Sequence, residues 1–158
     1  MKQNAKQIAV SGIVAAVYLA VTLTPGINTI SYGLVQFRIA EALTVLPFIY
    51  PGAIFGVFIG CFLANLFGPA GLQDAVFGSM LTLIAAWLTW LLHKTKKTYL
   101  APLPPIIINA FGVSIYLHSF FGEPYWLFVG CIALGQAVVC YGLGYPLLLA
   151  LKAREKQF

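Results

Sequence analysis

Long apolar runs, each ended by a proline–glycine break or a lysine cluster, constrain this chain more than any other feature. The breaks are Pro25-Gly26, Pro51-Gly52, Gly68-Pro69-Ala70-Gly71, the lysines between Lys94 and Lys97, and Gly122-Glu123-Pro124. In hydrocarbon each backbone N–H and C=O must be paired within its own segment, so such runs become helices. A span takes about 20 residues, fewer where neighbours cap a short helix. The runs predict six helices at about 5–24, 36–50, 52–67, 73–93, 102–120 and 125–151, with a semi-polar loop, Ile27 to Leu34, between the first two. Asp74 suits the positively polarised start of the fourth helix. Pro102, Pro104 and Pro105 suit the first turn of the fifth, where a missing N–H costs little.

Composition decides what solvent these helices meet. The chain is 61% hydrophobic and 8% charged, whereas soluble domains carry about 25% charged residues. A chain of 158 residues leaves too much surface outside its core to hide that apolar content from water. The expected fold class is therefore an all-α membrane protein, a six-transmembrane-helix bundle forming one domain over residues 1–158.

The net charge of +5 does not point to nucleic acid, because of where the charges lie. Lys2 and Lys6 open the chain, Lys94, Lys96 and Lys97 follow the fourth helix, and Lys152, Arg154 and Lys156 close it. Lysine and arginine resist translocation and so mark the cytoplasmic side. With an even number of spans, all three clusters fall on one side. The opposite connections carry Arg38, just inside the second helix, and the acids Asp74 and Glu123. This predicts a cell-membrane protein with both termini cytoplasmic, N-in/C-in. The first segment lacks a small-x-small cleavage site followed by a polar domain and is expected to stay.

Catalytic and metal signals are weak. Cys61, Cys131 and Cys140 lie in apolar stretches without a CxxC pair and read as small buried hydrophobes. The sequence holds no HExxH, GxSxG or GxxxxGK[ST] motif, and His93 and His118 are far apart. No cofactor, metal or enzymatic activity is expected, and no ATP hydrolysis through a phosphate loop.

Small residues predict close helix contacts. Gly52, Gly56, Gly60 and Ala64 recur every four residues on the third helix; Ala5/Ala9, Gly12/Ala16 and Ala16/Ala20 do so on the first. Either set can pack internally, and the first helix can also meet another membrane subunit.

Ionisable groups inside a span cost about 2.5–3.5 kcal/mol each on insertion scales, so each calls for a reason. Arg38 and Glu41 share a helical face and either pair with each other as a structural pin or present a carboxylate to a cavity. Asn65, Gln73, Asp74, His118 and Glu123 gather at the same, outer end of the bundle. Asn109 and Gln136 lie deeper, as a cavity floor or as interhelical hydrogen bonds. Aromatics surround that end: Tyr32, Phe37, Phe67, Tyr116, Phe120, Phe121, Tyr125 and Trp126. They form an interfacial belt, with one or two free to stack on a flat ligand. Carboxylates beside aromatics suit a planar, donor-rich, cationic ligand, since a carboxylate accepts two parallel N–H bonds.

Three classes of function are open on these residues. The first is a binding subunit of an importer. The second is a self-sufficient carrier, proton-coupled through Glu41 or Asp74 or facilitative. The third is a non-transport membrane protein, an assembly factor or small intramembrane enzyme, whose polar residues pair among themselves and leave no cavity. An open pocket between helices 2, 4 and 6 would count against that last class.

The run Gln36-Phe37-Arg38-Ile39-Ala40-Glu41-Ala42-Leu43 resembles the signature of the QueT family, substrate-binding S components of energy-coupling factor (ECF) transporters assigned to queuosine precursors. The likeness continues through Gly60–Asn65 and Asp74–Ser79, resumes at Pro105 with Asn109-Ala110, and returns from Gly135-Gln136 to Gly144. The resemblance implies a six-helix S component working with a transmembrane coupling protein and two cytoplasmic ATPases. It implies that Ala9, Gly12, Ala16 and Ala20 meet the coupling protein, that Ile27 to Leu34 acts as a lid, and that the whole subunit topples in the membrane. The implied ligand is a 7-deazaguanine, preQ1 or preQ0. Glu41 or Asp74 would take its N–H edge, the other acid an aminomethyl cation, and Asn65 the carbonyl. With Gln36 from the signature run and Trp126 from the aromatics, the candidate substrate-binding residues are Arg38, Glu41, Asn65, Asp74, Gln36, Asn109, Gln136 and Trp126.

Overall fold

A computed structural model describes residues 2–32, 35–69 and 71–155 of the chain. The described residues are helical throughout, with no strand. In chain order they form α1 (Lys2–Leu23), α2 (Ile27–Ser31), a 3-10 helix (Ile39–Phe48), α3 (Ala53–Leu66), α4 (Gly71–Leu92), α5 (Leu103–Phe121), α6 (Tyr125–Val139) and α7 (Tyr145–Glu155). A π turn over Cys140–Gly144 joins α6 to α7, so Tyr125–Arg154 continues as one span. Three more helical stretches are long and apolar enough to cross a membrane: Asn4–Leu23, Gly71–Thr95 and Thr98–Phe121. Ile39–Phe48 and Ala53–Leu66 are shorter apolar helices.

Two expectations change. The stretch after Pro25-Gly26 is not wholly loop, because Ile27–Ser31 closes one helical turn, with the Ser31 hydroxyl donating to the Ile27 carbonyl at 2.8 Å. Gly33 and Leu34, the end of the expected lid, lie outside the described residues. The second helix, expected from 36, begins only at Ile39 and is wound as a 3-10 helix. Ten residues rise about 20 Å in that form against about 15 Å as an α-helix, so a short segment reaches further through the bundle. In a 3-10 helix positions i and i+3 eclipse. Glu41, Thr44 and Pro47 therefore stand in one row, and all three are buried.

The glycine row of α3 is spent inside the protein, against α1. A Cβ added at Gly56 would lie 2.8 Å from the Ser11 carbonyl oxygen, and one at Gly60 would lie 2.7 Å from Tyr18 Cβ. Around this seam Val14, Tyr18, Ala53, Val57, Cys61 and Ala64 form a buried cluster with Ala40, Leu46 and Ala86. The small residues of α1 lie on its other side: Ala9, Gly12, Ala16 and Ala20 are exposed, alongside Ile8, Ile13 and Val17.

The outside of the bundle is greasy. Ile8, Phe67, Leu72 and Trp126 are each about two-thirds exposed or more (71, 68, 66 and 72%). Soluble monomers rarely expose apolar side chains to water on this scale. This is a membrane protein.

Candidate binding site

The site forms where the 3-10 helix enters the bundle. Gln36 holds a left-handed backbone with φ of 49°, a conformation that side chains other than glycine's seldom adopt. The Arg38 amide donates to the Gln36 carbonyl at 2.8 Å, closing a tight turn. This turn crosses α6 at Gly135, where a Cβ would come within 2.2 Å of the Val35 carbonyl oxygen. A side chain at 135 would push the turn outward. The turn thus fixes where Arg38 leaves the backbone, one residue before the helix begins.

Arg38 reaches across to α4. Its Nη2 lies 3.7 Å from Asp74 Oδ2, and both side chains are over nine-tenths buried. Of the two arrangements open to Arg38 and Glu41 from the sequence, no direct ion pair forms between them; Arg38 caps the helix in extended backbone and turns to Asp74. Its Nη1 meets Cys61 Sγ at 3.9 Å. The Tyr32 ring covers the guanidinium, with 5.0 Å from Cζ to the ring centroid, and the Tyr32 hydroxyl donates to the Ala64 carbonyl at 2.5 Å. Burial raises the Tyr32 phenol above its ordinary pKa, which keeps it a neutral donor.

The two carboxylates are held differently. Asp74 takes the Arg38 ion pair and a hydrogen bond from the Tyr116 hydroxyl at 2.5 Å. Glu41 takes neutral donors: the Tyr18 hydroxyl of α1, Asn109 Nδ2 of α5 at 3.3 Å, and the Gln136 side chain of α6. One guanidinium thus faces two carboxylates, and one carboxylate lacks a cation. Asn65 spends its amide N–H groups on the Asp74 carbonyl at 3.1 Å and Cys61 Sγ at 3.4 Å. Gln136 accepts from Cys140 Sγ at 3.5 Å. Gly78 makes room for all this, since a Cβ there would stand 2.7 Å from Asp74 Oδ1 and 2.9 Å from Asn65 Nδ2.

These groups surround a narrow cavity of about 10 Å³, lined by Gln36, Arg38, Glu41, Asp74, Gly78, Thr82, Asn109, Val113 and Gln136. That is about the room one water molecule needs. Among the described residues the polar groups close on one another, and this cavity is not the open pocket between helices 2, 4 and 6 that would count against a non-transport protein. Three buried atoms have no hydrogen-bond partner among the described residues: Arg38 Nε, Asn65 Oδ1 and Asn109 Oδ1.

Of the candidates from the sequence, Gln36, Arg38, Glu41, Asp74, Asn109 and Gln136 line one cavity, and Asn65 buttresses it. Trp126 does not join them. It stands 72% exposed, edge-on to Tyr125. His118 and Glu123 stay outside as well, His118 packing edge-on against Tyr125 and Glu123 being exposed. Tyr18 escapes the sequence reading altogether, as one aromatic in an apolar first helix. Its full burial beside a glycine-lined seam is visible only once α1 and α3 are packed.

Comparisons with known proteins place the chain in a family. The family model described as QueT transporter matches residues 8–153, a stretch that includes every residue of the site. The "Queuosine precursor transporter QueT" of Lactococcus lactis subsp. cremoris (strain MG1363) is 30% identical over 146 residues, covering 85% of this chain and 86% of that relative. No solved structure matches significantly. A self-paired polar cluster with so little free volume is what a non-transport protein would also show, and the family match is what decides between the two. The chain belongs to the QueT transporter family.

Proposed function

We propose that the protein is the substrate-binding S component of an ATP-driven ECF-type importer and binds a cationic 7-deazaguanine queuosine precursor, with preQ1 as the best fit. The observation that carries this reading is the buried carboxylate without a cation. Arg38 forms its ion pair with Asp74, while Glu41 is held by a tyrosine and two amides. A buried unpaired carboxylate is costly, and a ligand bringing a cation or a row of N–H groups relieves that cost. The guanine-like edge supplies the row of N–H groups to Glu41, and the aminomethyl cation of preQ1, on the other ring, offsets the net negative charge that Arg38, Glu41 and Asp74 leave in the cluster. Among neutral precursors, preQ0 offers only the edge. The name of the Lactococcus relative supports a queuosine precursor as the cargo.

In this reading the 3-10 helix and α3 complete six crossings with the four long spans, the lysine-rich ends face the cytoplasm, and the site opens outward through the plasma membrane. Asp74 and the lysine turn stand at opposite ends of α4, about 27 Å apart by helical rise. Ligand pockets for drug-sized molecules run to about 300 Å³ or more, so the site must open from its contracted form to admit cargo. In this reading Ile27 to Leu34 acts as the lid. The exposed small residues Ala9, Gly12, Ala16 and Ala20 supply the face for a transmembrane coupling protein, which brings two cytoplasmic ATPases.

A second reading, a self-sufficient proton-coupled carrier, is favoured by the same feature: a carboxylate held by neutral donors can accept a proton in the membrane. Reconstitution in liposomes separates the two. The protein alone, under an imposed pH gradient, is expected to accumulate no preQ1, and accumulation is expected only with coupling protein, ATPases and ATP. Gradient-driven accumulation by the protein alone would overturn the S-component reading.

A further inference from the structure

We infer that Arg38 and Asn109 read the lactam edge of the ligand, so that the site accepts guanine-type rings and rejects rings carrying the inverted, adenine-type pattern. The inference rests on the reading above and assigns its specificity to particular atoms.

The orphaned atoms carry it. Arg38 Nε and Asn109 Oδ1 belong to cavity-lining residues, are buried, and have no hydrogen-bond partner among the described residues. The orientation of Asn109 is fixed by chemistry, because its Nδ2 donates to Glu41 Oε2 at 3.3 Å. An ionised carboxylate only accepts, so a flipped amide would set oxygen against oxygen. Asn109 therefore offers its oxygen as a free acceptor directly beside the Glu41 carboxylate. Arg38 is committed through Nη2 to Asp74 and through Nη1 to Cys61, which leaves its Nε–H as a free donor. Along the cavity wall the protein presents one donor and two acceptors: Arg38 Nε–H, Asn109 Oδ1 and the Glu41 carboxylate.

A guanine-type edge is complementary to that set. It presents a carbonyl acceptor, a ring N–H donor and an exocyclic amino donor. An adenine-type edge presents an amino donor where the carbonyl stands and a bare ring nitrogen where the N–H stands. It would set donor against Arg38 and acceptor against Asn109. Sites whose buried polar groups are left unpaired by the wrong ligand discriminate strongly, because the groups have given up water already. The structure also revises the expected reader of the carbonyl. Asn65 has both its described contacts through Nδ2, and the atom it has left is an oxygen, which accepts and cannot meet a carbonyl. Arg38 Nε takes that task.

The test is a ligand series on the purified full chain in nanodiscs, titrated calorimetrically with preQ1, with its N1-methyl derivative and with the adenine-type 7-aminomethyl analogue. The wild type is expected to bind preQ1 about a hundredfold or more tighter than either analogue. In Asn109→Ala the gap between preQ1 and the N1-methyl derivative is expected to shrink to about tenfold or less, because the acceptor is gone and the methyl group gains room. Equal binding of preQ1 and the adenine-type analogue to the wild type would overturn the inference while leaving the S-component reading intact. So would an unchanged gap in Asn109→Ala. Absence of binding by every member of the series would overturn both. Should Asn109→Ala fail to fold, the wild-type series decides alone, since the adenine-type analogue inverts the pattern without any mutation.

Discussion

Arg38 and Asp74 illustrate what a buried ion pair does at the scale of single residues. Each is expensive to bury alone, and removing one partner leaves the other uncompensated, at about 3–5 kcal/mol. Asp74→Asn is therefore expected to destabilise the protein by roughly that amount, read as a lowered midpoint of thermal unfolding in detergent. Preserved stability would mean that Arg38 is neutralised elsewhere. Tyr18→Phe removes a neutral donor from Glu41 while keeping the ring against the α3 glycines. The expected cost is about 1–3 kcal/mol for the unsatisfied carboxylate, measured by chemical denaturation, and no loss at all would show that water replaces the phenol. The carboxylates and Arg38 were readable in the sequence because charges in apolar runs are rare. Their partners were not: nothing in the spacing says that Arg38 caps its helix and turns to α4 instead of to Glu41.

At the scale of elements, the α1–α3 seam is built on glycine. A Cβ at Gly60 would meet Tyr18 Cβ at 2.7 Å and the Ala15 carbonyl oxygen at 3.0 Å. Gly60→Leu is expected to separate the two helices and abolish a stable monodisperse species on size-exclusion chromatography, whereas Gly12→Ala, with nothing within 4 Å of its added Cβ, leaves folding intact. A folded Gly60→Leu protein with native thermal stability would contradict the seam. The long elements were legible because their ends carry punctuation with a mechanism. Proline opens α5, whose Gly122 cap has φ of 75°, and a lysine turn follows α4. The 3-10 winding of Ile39–Phe48 was not legible, because buried positions three apart suit an α-helix equally well. Only the row Arg38, Glu41, Thr44 and Pro47, at unbroken intervals of three, hints at it. Runs longer than three or four residues in this form are uncommon and often mark a hinge. A segment so wound, seated on the π turn through Thr44 and Cys140 at 3.8 Å, is the natural place for the site to open.

For the whole molecule, the division of surfaces gives the account its shape. The polar cluster is at one end of α4 and the lysine turn at the other. The glycine face of α3 is used internally, and the small-residue face of α1 is left outward. Engineered single cysteines at Lys96 and Glu123, in a cysteine-free background, are expected to label from opposite sides of intact cells, with Glu123 accessible from outside. Labelling of both from one side would refute six crossings. Composition alone announced a membrane protein, since apolar residues had nowhere else to go. The contracted state of the site was beyond the sequence, because it depends on how Tyr18 from α1 and Asn109 and Tyr116 from α5 arrive to occupy the carboxylates.

The central claim is that Glu41, without an ion pair of its own, waits for the N–H edge of a deazaguanine. Titrating purified protein with preQ1 by calorimetry, wild type against Glu41→Gln, tests it most directly. The account predicts saturable one-to-one binding by the wild type and a loss of about tenfold to a hundredfold in Glu41→Gln, the worth of a charge-assisted contact of about 1.5–3 kcal/mol. Equal affinity in the two proteins, or no binding by the wild type, would contradict it.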